Sequence, residues 1–268
     1  MTPLFSLVFI ALLSCTGAVD QQEKRSAKES KNSFSEDIIV GAERLDEYLP
    51  MLAEKKVALA VNQTSVVKGQ HLVDVLLENG VAVKKIFAPE HGFRGAASAG
   101  EYVQNEKDKK TGLPILSLYG KKKKPTQEDL EEIDLLIFDI QDVGARFYTY
   151  ISTMHYLMEA CAENDISFLV LDRPNPNGHF VDGPVLDTNF CSFVGLHPVP
   201  IVHGMTIAEY ALMINEEGWL KDEAKCDLHY ILCENYDHNT FYKLPVKPSP
   251  NLPNMRSIYL YPSICFFE

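Results

Sequence analysis

Short β-branched runs alternate with segments of helical length along this chain, and this alternation restricts its fold more than any other feature. The strand-like runs cover residues 57–61, 81–87, 115–118, 135–140 and 168–171. The amphipathic segments between them cover residues 70–78, 126–132 and 150–163. Such alternation is typical of βαβ units and predicts an α/β fold with a Rossmann-like, mainly parallel sheet flanked by helices.

Two threonines and one proline-rich stretch add local detail to this prediction. Thr126 precedes Asp129 by three residues, as Thr206 precedes Glu209, so each pair predicts a capping box at a helix start. Residues 171–200 contain five prolines, which indicate a long ordered loop over the sheet or a mobile lid.

The composition and the missing motifs exclude several classes of function. A net charge of -12 and a pI near 5.1 argue against a nucleic-acid surface, which needs clustered Lys and Arg. The basic run at residues 121–124 is interpreted as a solvated loop, with an anion site as the alternative. Because the chain lacks a Walker loop, a G-x-G-x-x-G motif and tightly spaced His or Cys pairs, we expect no cofactor and no metal.

The N-terminal residues resemble an export signal. Residues 1–19 contain an apolar stretch too short to span a bilayer, which is typical of a signal peptide. Cys15 follows Leu-Leu-Ser, as in a bacterial lipobox, and is therefore predicted to be lipidated. Residues 20–37 form a polar linker. The sequence thus predicts an exported protein, either periplasmic or attached to the membrane by a lipid anchor.

Polar side chains follow directly after the predicted strands. Carboxyl ends of parallel strands meet at one edge of a sheet, where ligands bind, so these side chains are expected to converge there. They are Asn62, Gln63 and Thr64; Glu90, His91 and Arg94; Gln141, Asp142 and Arg146; Arg173 and Asn175; and His203, which follows Ile201-Val202, interpreted as a further strand.

The segment APEHGFRG, residues 88–95, contains the acid that best suits catalysis. Glu90 follows a stiffening proline, and the nearby glycines let the backbone pass close to a ligand. Partial burial beside Phe93 and a neighbouring carboxylate favours the protonated form that a general acid needs. The alternative is a structural turn in which Glu90 pairs with Arg94 or caps the next segment.

Three other candidates also have structural interpretations. Asp139 and Asp142 are candidates to orient a substrate or a water molecule. Alternatively, Asp142 caps the following turn and Asp139 pairs with Arg146 or Arg173, and for Asp139 the ion pair is favoured. His203 is a candidate base, although a single histidine more often satisfies hydrogen bonds in a core.

Cys161, on an apolar helix face, is predicted to be a buried thiol.

Several longer motifs carry a further signal: APEHGFRG, TGLPILSLYG, LLIFDIQDVGARFYTYISTM, LDRPNPNG, DGPVLD, SFVGLHPVPIVHGMT and NLPNMRSIYLYPS. They resemble the exo-acting β-N-acetylmuramidases, a bacterial family of peptidoglycan hexosaminidases. The resemblance runs from about Ile38 to the end of the chain. It departs at Ala208, where the family usually has glycine.

The resemblance implies both an architecture and an activity. Residues 38–220 are expected to form a Rossmann-like catalytic domain, and residues 221–268 the start of a smaller α/β domain that is incomplete. The family releases terminal N-acetylmuramic acid from the non-reducing end of peptidoglycan fragments, so muramyl sugars are the implied partners. Glu90 matches the family's catalytic acid, and Asp142 is expected to assist it. The positions implied to bind substrate are His91, Arg94, Asp139, Gln141, Arg146, Tyr148, Arg173, Asn175 and His203.

Two other functions compete with this hypothesis. The first is a non-catalytic, exported module that binds cell-wall sugars. The second is an esterase with His203 as its base, which the absence of a G-x-S-x-G elbow disfavours.

Overall fold

The computed structural model describes residues 37–90, 92–93, 106–120 and 122–267. From Ile38 onward, the described chain forms one compact unit. Its strands are β1 (Lys56–Val61), β2 (Val66–Val67), β3 (Gln70–His71), β4 (Ala82–Ala88), β5 (Glu106–Lys107), β6 (Pro114–Ser117), β7 (Leu135–Asp139), β8 (Ser167–Leu171) and β9 (Leu228–Ile231). Its α-helices are α1 (Leu45–Leu52), α2 (Leu72–Glu78), α3 (Gln127–Leu130), α4 (Tyr150–Glu163), α5 (Ile207–Glu216) and α6 (Met255–Ile264).

A seven-stranded sheet lies at the centre, in the order β5-β6-β4-β1-β7-β8-β9. Neighbouring strands are parallel except β5 and β6, which pair antiparallel at one edge. β2 and β3 form a separate two-stranded sheet. The α/β class predicted from the alternating pattern is therefore confirmed.

The central strands are apolar on both faces because helices cover the sheet on both sides. In β1, Val57, Leu59 and Val61 belong to a core cluster that includes α1 and α2, whereas Ala58 and Ala60 belong to one that includes α4, α5 and α6. Burial on both faces explains why parallel strands read as continuous hydrophobic runs rather than as alternating patterns.

The chain order across the sheet defines where a ligand site is expected. From β1 the chain moves outward to β4 and β6 on one side, and it then returns to place β7, β8 and β9 on the other. Ligands bind to open α/β sheets at such a reversal, in the crevice beyond the carboxyl ends of the strands. The segments that follow β4 and β7, the two neighbours of β1, start at this crevice.

Most predicted elements are present, with limits that differ by a few residues at most. α4 has the predicted limits, and α3 and α5 begin after Thr126 and Thr206 with the predicted capping boxes. The strand predicted at Ile201-Val202 is wrong, because Val202 forms isolated bridges with Ala145 and Asp182 instead. The sheet position beside β8 is occupied by β9.

The C-terminal part of the described chain continues the same architecture. β9 lies beyond residue 220 yet pairs with β8 in the central sheet, and the domain boundary at residue 220 stays a prediction. The cysteines of the described residues are free thiols, and Cys161 is buried as predicted. None of the helices in the described ranges combines the length and apolar character that crossing a bilayer requires.

Candidate active site

A cavity of about 470 Å³ lies at the carboxyl edge of the sheet. Its walls come from the segments that follow β4, β6 and β7 and from the loops near residues 193 and 250. The lining residues are Glu90, Tyr119, Gly120, Lys123, Phe147, Tyr148, Thr149, Tyr150, Phe193, Val194, Ser249, Asn251, Leu252 and Tyr261. Six of these fourteen residues are aromatic, and a cavity that combines aromatic walls with a few polar groups is typical of a small-molecule site.

Glu90 contributes a carboxyl to this cavity from the end of β4. A side-chain hydrogen bond connects it with Tyr119, and burial together with the negative charge of Glu90 raises the pKa of Tyr119. Burial also raises the pKa of Tyr150. Hydrogen bonds with Tyr148 and Asn62 partly offset this rise, and the negative charge of Glu90 adds to it. The predicted acid therefore lies among tyrosine hydroxyls that stay protonated at neutral pH.

Tyr148 forms part of the aromatic wall beside Glu90. Its hydroxyl donates a hydrogen bond to the carbonyl oxygen of Pro248 at 2.8 Å. Its ring meets Tyr150 edge-on, with centroids 4.8 Å apart, and meets Tyr261 in the same way at 5.8 Å. The structure thus places Tyr148 on the cavity wall and fixes its ring by contacts on three sides, and its role in substrate binding stays a prediction.

Asp142 is buried behind this wall rather than in it. Its Oδ2 accepts a hydrogen bond from the backbone N–H of Gly144 at 2.7 Å, so the interpretation as a turn cap is confirmed. The Nε2 atom of His203 lies 3.7 Å from Oδ2. Within the described chain, Oδ1 of Asp142 has no hydrogen-bond partner. The pKa of Tyr150 on the cavity wall is raised by burial first, and the charge of Asp142 raises it further.

Asp139 and Arg173 form a buried ion pair. The Nε atom of Arg173 donates to Oδ1 of Asp139 at 2.5 Å, and Nη2 donates to Oδ2 at 2.9 Å. The two residues are 0% and 2% exposed, respectively. Because both oxygens of Asp139 are occupied, the structural interpretation of this residue is confirmed.

Gln141, Arg146 and Asn175 also turn inward, and none of them lines the cavity. Gln141 donates to the carbonyl oxygen of Pro174 at 2.8 Å, and Asn175 donates to that of Met205 at 2.8 Å. Arg146 donates to the carbonyl oxygens of Pro184 and Val199, and burial lowers the pKa of its guanidinium. These side chains hold residues 172–206 against the sheet edge, and their roles in substrate binding stay predictions.

His203 is buried, with its side chain 1% exposed, and it borders a different, shallow depression. It shares that depression with Glu209 and His238, whose side chains are 3.0 Å apart. The Nδ1 atom of His203 accepts a hydrogen bond from the backbone N–H of Met205 at 3.2 Å. The structure therefore separates this histidine from the cavity that contains Glu90, and its predicted role with substrate is untested.

The remaining predicted positions, His91, Arg94 and Cys15, lie outside the described residues. Among the residues that are described, no group of three or more His, Cys, Asp or Glu side chains is arranged to hold a metal ion.

Several lining residues were not predicted from the sequence. Tyr119 follows β6 by two residues, as Glu90 follows β4, so the strand-end rule applies to it equally. The sequence favours a solvated loop for the basic run at 121–124, with an anion site as the alternative. The structure places Lys123 of this run on the cavity wall, with Nζ 4.0 Å from the ring centroid of Phe193. Phe193 and Asn251 come from irregular segments with no periodic pattern that would have marked them.

The mainly parallel sheet and the cavity at its carboxyl edge define an α/β protein with a candidate ligand site at its strand ends. The family model described as exo-beta-N-acetylmuramidase NamZ, N-terminal, matches residues 57–256. The chain belongs to this family, which confirms the resemblance found in its motifs.

Individual proteins show the same relationship. The chain is 41% identical to the peptidoglycan beta-N-acetylmuramidase NamZ of Bacillus subtilis (strain 168), over 99% of its own length and 64% of that protein's. A solved DUF1343 family protein from Bacteroides fragilis NCTC 9343 is 55% identical with a TM-score of 0.79, over 87% of this chain and 62% of its own. A second from the same strain is 39% identical with a TM-score of 0.79, over 86% and 60%. The chain thus spans less than two thirds of each of these proteins.

Proposed function

We propose that this protein is a glycosidase that removes terminal N-acetylmuramic acid from the non-reducing end of peptidoglycan fragments. The observation that carries the proposal is the position of Glu90, which lies in the wall of an aromatic cavity at the carboxyl edge of the sheet. Two comparisons support hydrolysis of a glycosidic bond: the chain belongs to the exo-beta-N-acetylmuramidase family, and its sequence is 41% identical to that of the Bacillus subtilis peptidoglycan enzyme.

In this proposal Glu90 donates a proton to the oxygen of the leaving sugar. Glycosidic bond cleavage needs a carboxylic acid that is held beside the scissile oxygen and shielded from bulk water. Glu90 is only partly exposed, and its hydrogen bond with Tyr119 fixes its direction. The aromatic rings of Tyr148 and Tyr261 provide an apolar surface on which a sugar ring packs.

Asp142 is the better of the two aspartates for the second role. Asp139 has both oxygens on Arg173, whereas Oδ1 of Asp142 has no partner within the described residues. Its negative charge acts on Tyr148 and Tyr150, which line the cavity. We assign to Asp142 the orientation of a water molecule or of the acetamido group of the sugar, through these hydroxyls.

Replacing Glu90 tests the proposed reaction. Glu90→Gln keeps the shape of the side chain and removes the proton donor, so release of chromophore from a chromogenic β-N-acetylmuraminide should fall by about 10²–10⁴-fold. Glu131→Gln, an exposed acid outside the cavity, is the matched control and should retain activity. Unchanged turnover in Glu90→Gln would remove this residue from the reaction, and wild-type binding of muramyl sugar without release would instead support a non-catalytic sugar-binding module.

We also propose that the protein is exported: residues 1–19 contain a signal peptide with a lipobox, and Cys15 is lipidated and becomes the mature N-terminus. The support is the apolar stretch and the Leu-Leu-Ser-Cys sequence. Expression of the wild type and of Cys15→Ser in a bacterial host, followed by fractionation, tests this. The wild type should be found with membranes and the variant should not, and an identical distribution of the two would argue against a lipid anchor.

A further inference from the structure

The cavity contains one acid and one base among its described lining residues, Glu90 and Lys123. The substrate-binding positions that the family resemblance implies include Arg94, Arg146 and Arg173, and a guanidinium binds a carboxylate through two hydrogen bonds. Arg94 lies outside the described residues. However, Arg173 is saturated by Asp139, and Arg146 donates to backbone carbonyls away from the cavity. Of the basic side chains that the structure describes, Lys123 is the one that reaches the wall of this cavity.

The two lysines on either side of Lys123 are paired with acids outside the cavity. Lys122 forms an ion pair with Asp129. Lys124 contacts Glu159 at 2.6 Å and Glu163 at 2.7 Å. These acids do not line the cavity, and of the described residues of this run Lys123 is the one on the cavity wall.

Lys123 is held there without a carboxylate partner in the described chain. Its Nζ atom lies 4.0 Å from the ring centroid of Phe193, and that ring stacks on Tyr156 with the two planes 10° apart. A cation over an aromatic ring is weakly stabilised where the site is open to water. The ammonium group is therefore positioned but remains available to an anion that enters the cavity.

We infer that Lys123 binds the carboxylate of an acidic sugar substituent and thereby selects a sugar acid over its neutral counterpart. This inference rests on the proposed function, because N-acetylmuramic acid carries a lactyl carboxylate that N-acetylglucosamine lacks. Charge-assisted hydrogen bonds are short and strong, and a lysine recognises a carboxylate as a point charge. Lys123 is thus a specificity-determining residue, while Glu90 serves the bond that is cleaved.

Kinetics of lysine variants test this role. Lys123→Met should raise the KM for a chromogenic β-N-acetylmuraminide about tenfold, with little change in kcat, because one charge-assisted contact to the substrate is lost. Lys123→Arg retains a cation and should remain within about threefold of wild type. Lys122→Met removes the same charge from the same run but not from the cavity wall, and its KM should match wild type. An equal KM in Lys123→Met and Lys122→Met would overturn the inference.

A binding measurement separates this inference from the proposed reaction. By calorimetry, wild type should bind N-acetylmuramic acid more tightly than N-acetylglucosamine, and this preference should weaken at high salt. Lys123→Met should bind the two sugars alike. If wild type shows no turnover but Lys123→Met still loses the preference, the proposed reaction fails and the inference stands. If wild type binds both sugars equally, the inference is wrong whatever the turnover.

Discussion

Arg173 connects β8 and β7 of the central sheet with β2 of the separate two-stranded sheet. It follows β8, it holds Asp139 at the end of β7 with two hydrogen bonds, and its Nη2 atom also lies 3.3 Å from the carbonyl oxygen of Val66 in β2. A buried guanidinium is tolerated only when its donors are paired in this way. The pair therefore fixes the loops from which the cavity is built.

Removing the cation of this pair should destabilise the fold strongly. Arg173→Met leaves the Asp139 carboxylate buried without a partner, and the free energy of unfolding should fall by about 3–5 kcal/mol. Lys56→Met breaks an exposed pair with Glu132, whose side chain is 72% exposed, and should cost less than about 1 kcal/mol. Urea unfolding followed by circular dichroism measures both. Similar losses in the two variants would show that the buried pair does not secure this edge.

At the scale of elements, the connection from β7 to α4 packs tightly on the segment that follows β8. Gly144 has a φ of +76°, and a Cβ atom at this position would lie 2.2 Å from Oδ1 of Asn175. Asn175 in turn holds Met205 in place. A glycine is required here for two separate reasons, backbone conformation and space.

Comparison of two glycine variants separates these reasons. Gly69 has a φ of +87°, and a Cβ atom there would have nothing within 4 Å. Gly69→Ala should therefore show only the conformational cost, about 1 kcal/mol. Gly144→Ala should lose about 1–3 kcal/mol more because the side chain of Asn175 must move. Chemical denaturation of both variants measures the difference, and equal losses would mean that the close approach at Gly144 is relieved without cost.

Elements with a strong local signal were predictable from the sequence, and those with a conflicting signal were not. The Thr126 and Thr206 capping boxes and the apolar stripe of α4 gave correct helices. α1 and α6 each contain an internal proline, Pro50 and Pro262, which disfavours a helix in any local reading. β9 is short and mostly not buried, so pairing with β8 rather than its own pattern makes it a strand.

For the candidate site, the sequence predicted where residues lie but not the direction of their side chains. The strand-end rule placed Glu90, Asp142 and Arg173 correctly at one edge, but it does not tell which way each side chain turns. That direction depends on residues 172–206, which form an irregular segment. The carbonyl groups of this segment are not paired with the N–H groups of a neighbouring strand, so side chains must donate hydrogen bonds to them. Gln141, Arg146 and Asn175 meet this need, and so they turn away from the cavity.

At the scale of the whole molecule, a buried hydrogen-bonded chain joins two helices across the long loop. Nδ1 of His155 in α4 lies 3.0 Å from Nε2 of His197, and Nδ1 of His197 lies 3.1 Å from the hydroxyl oxygen of Tyr210 in α5. Burial lowers the pKa of His155, and burial with the nearby His155 lowers that of His197 to about 3. Both rings are therefore neutral in the folded protein at physiological pH.

The two buried, neutral histidines predict how the stability of the protein depends on pH. A histidine in the unfolded chain has a pKa of about 6.5, so below that pH the unfolded state binds protons that the folded state does not. The free energy of unfolding should therefore fall as the pH falls from about 6.5 toward about 3, by at most about 1.4 kcal/mol per pH unit for each group. Asp172, whose pKa burial raises to about 6, acts in the opposite sense, because its folded form takes up a proton before its unfolded form does.

His197→Phe isolates the contribution of the histidine from that of Asp172 and other carboxylates. The variant has no ring nitrogen to protonate at this position. As the pH falls from 6.5 to 5, its free energy of unfolding should therefore fall less steeply than that of wild type. This interval lies just below the pKa of about 6.5 that a histidine has in the unfolded chain. Urea titrations at several pH values give the slopes. A slope in His197→Phe as steep as in wild type would show that the buried chain does not govern the loss of stability in acid, whatever the effect of the substitution on absolute stability.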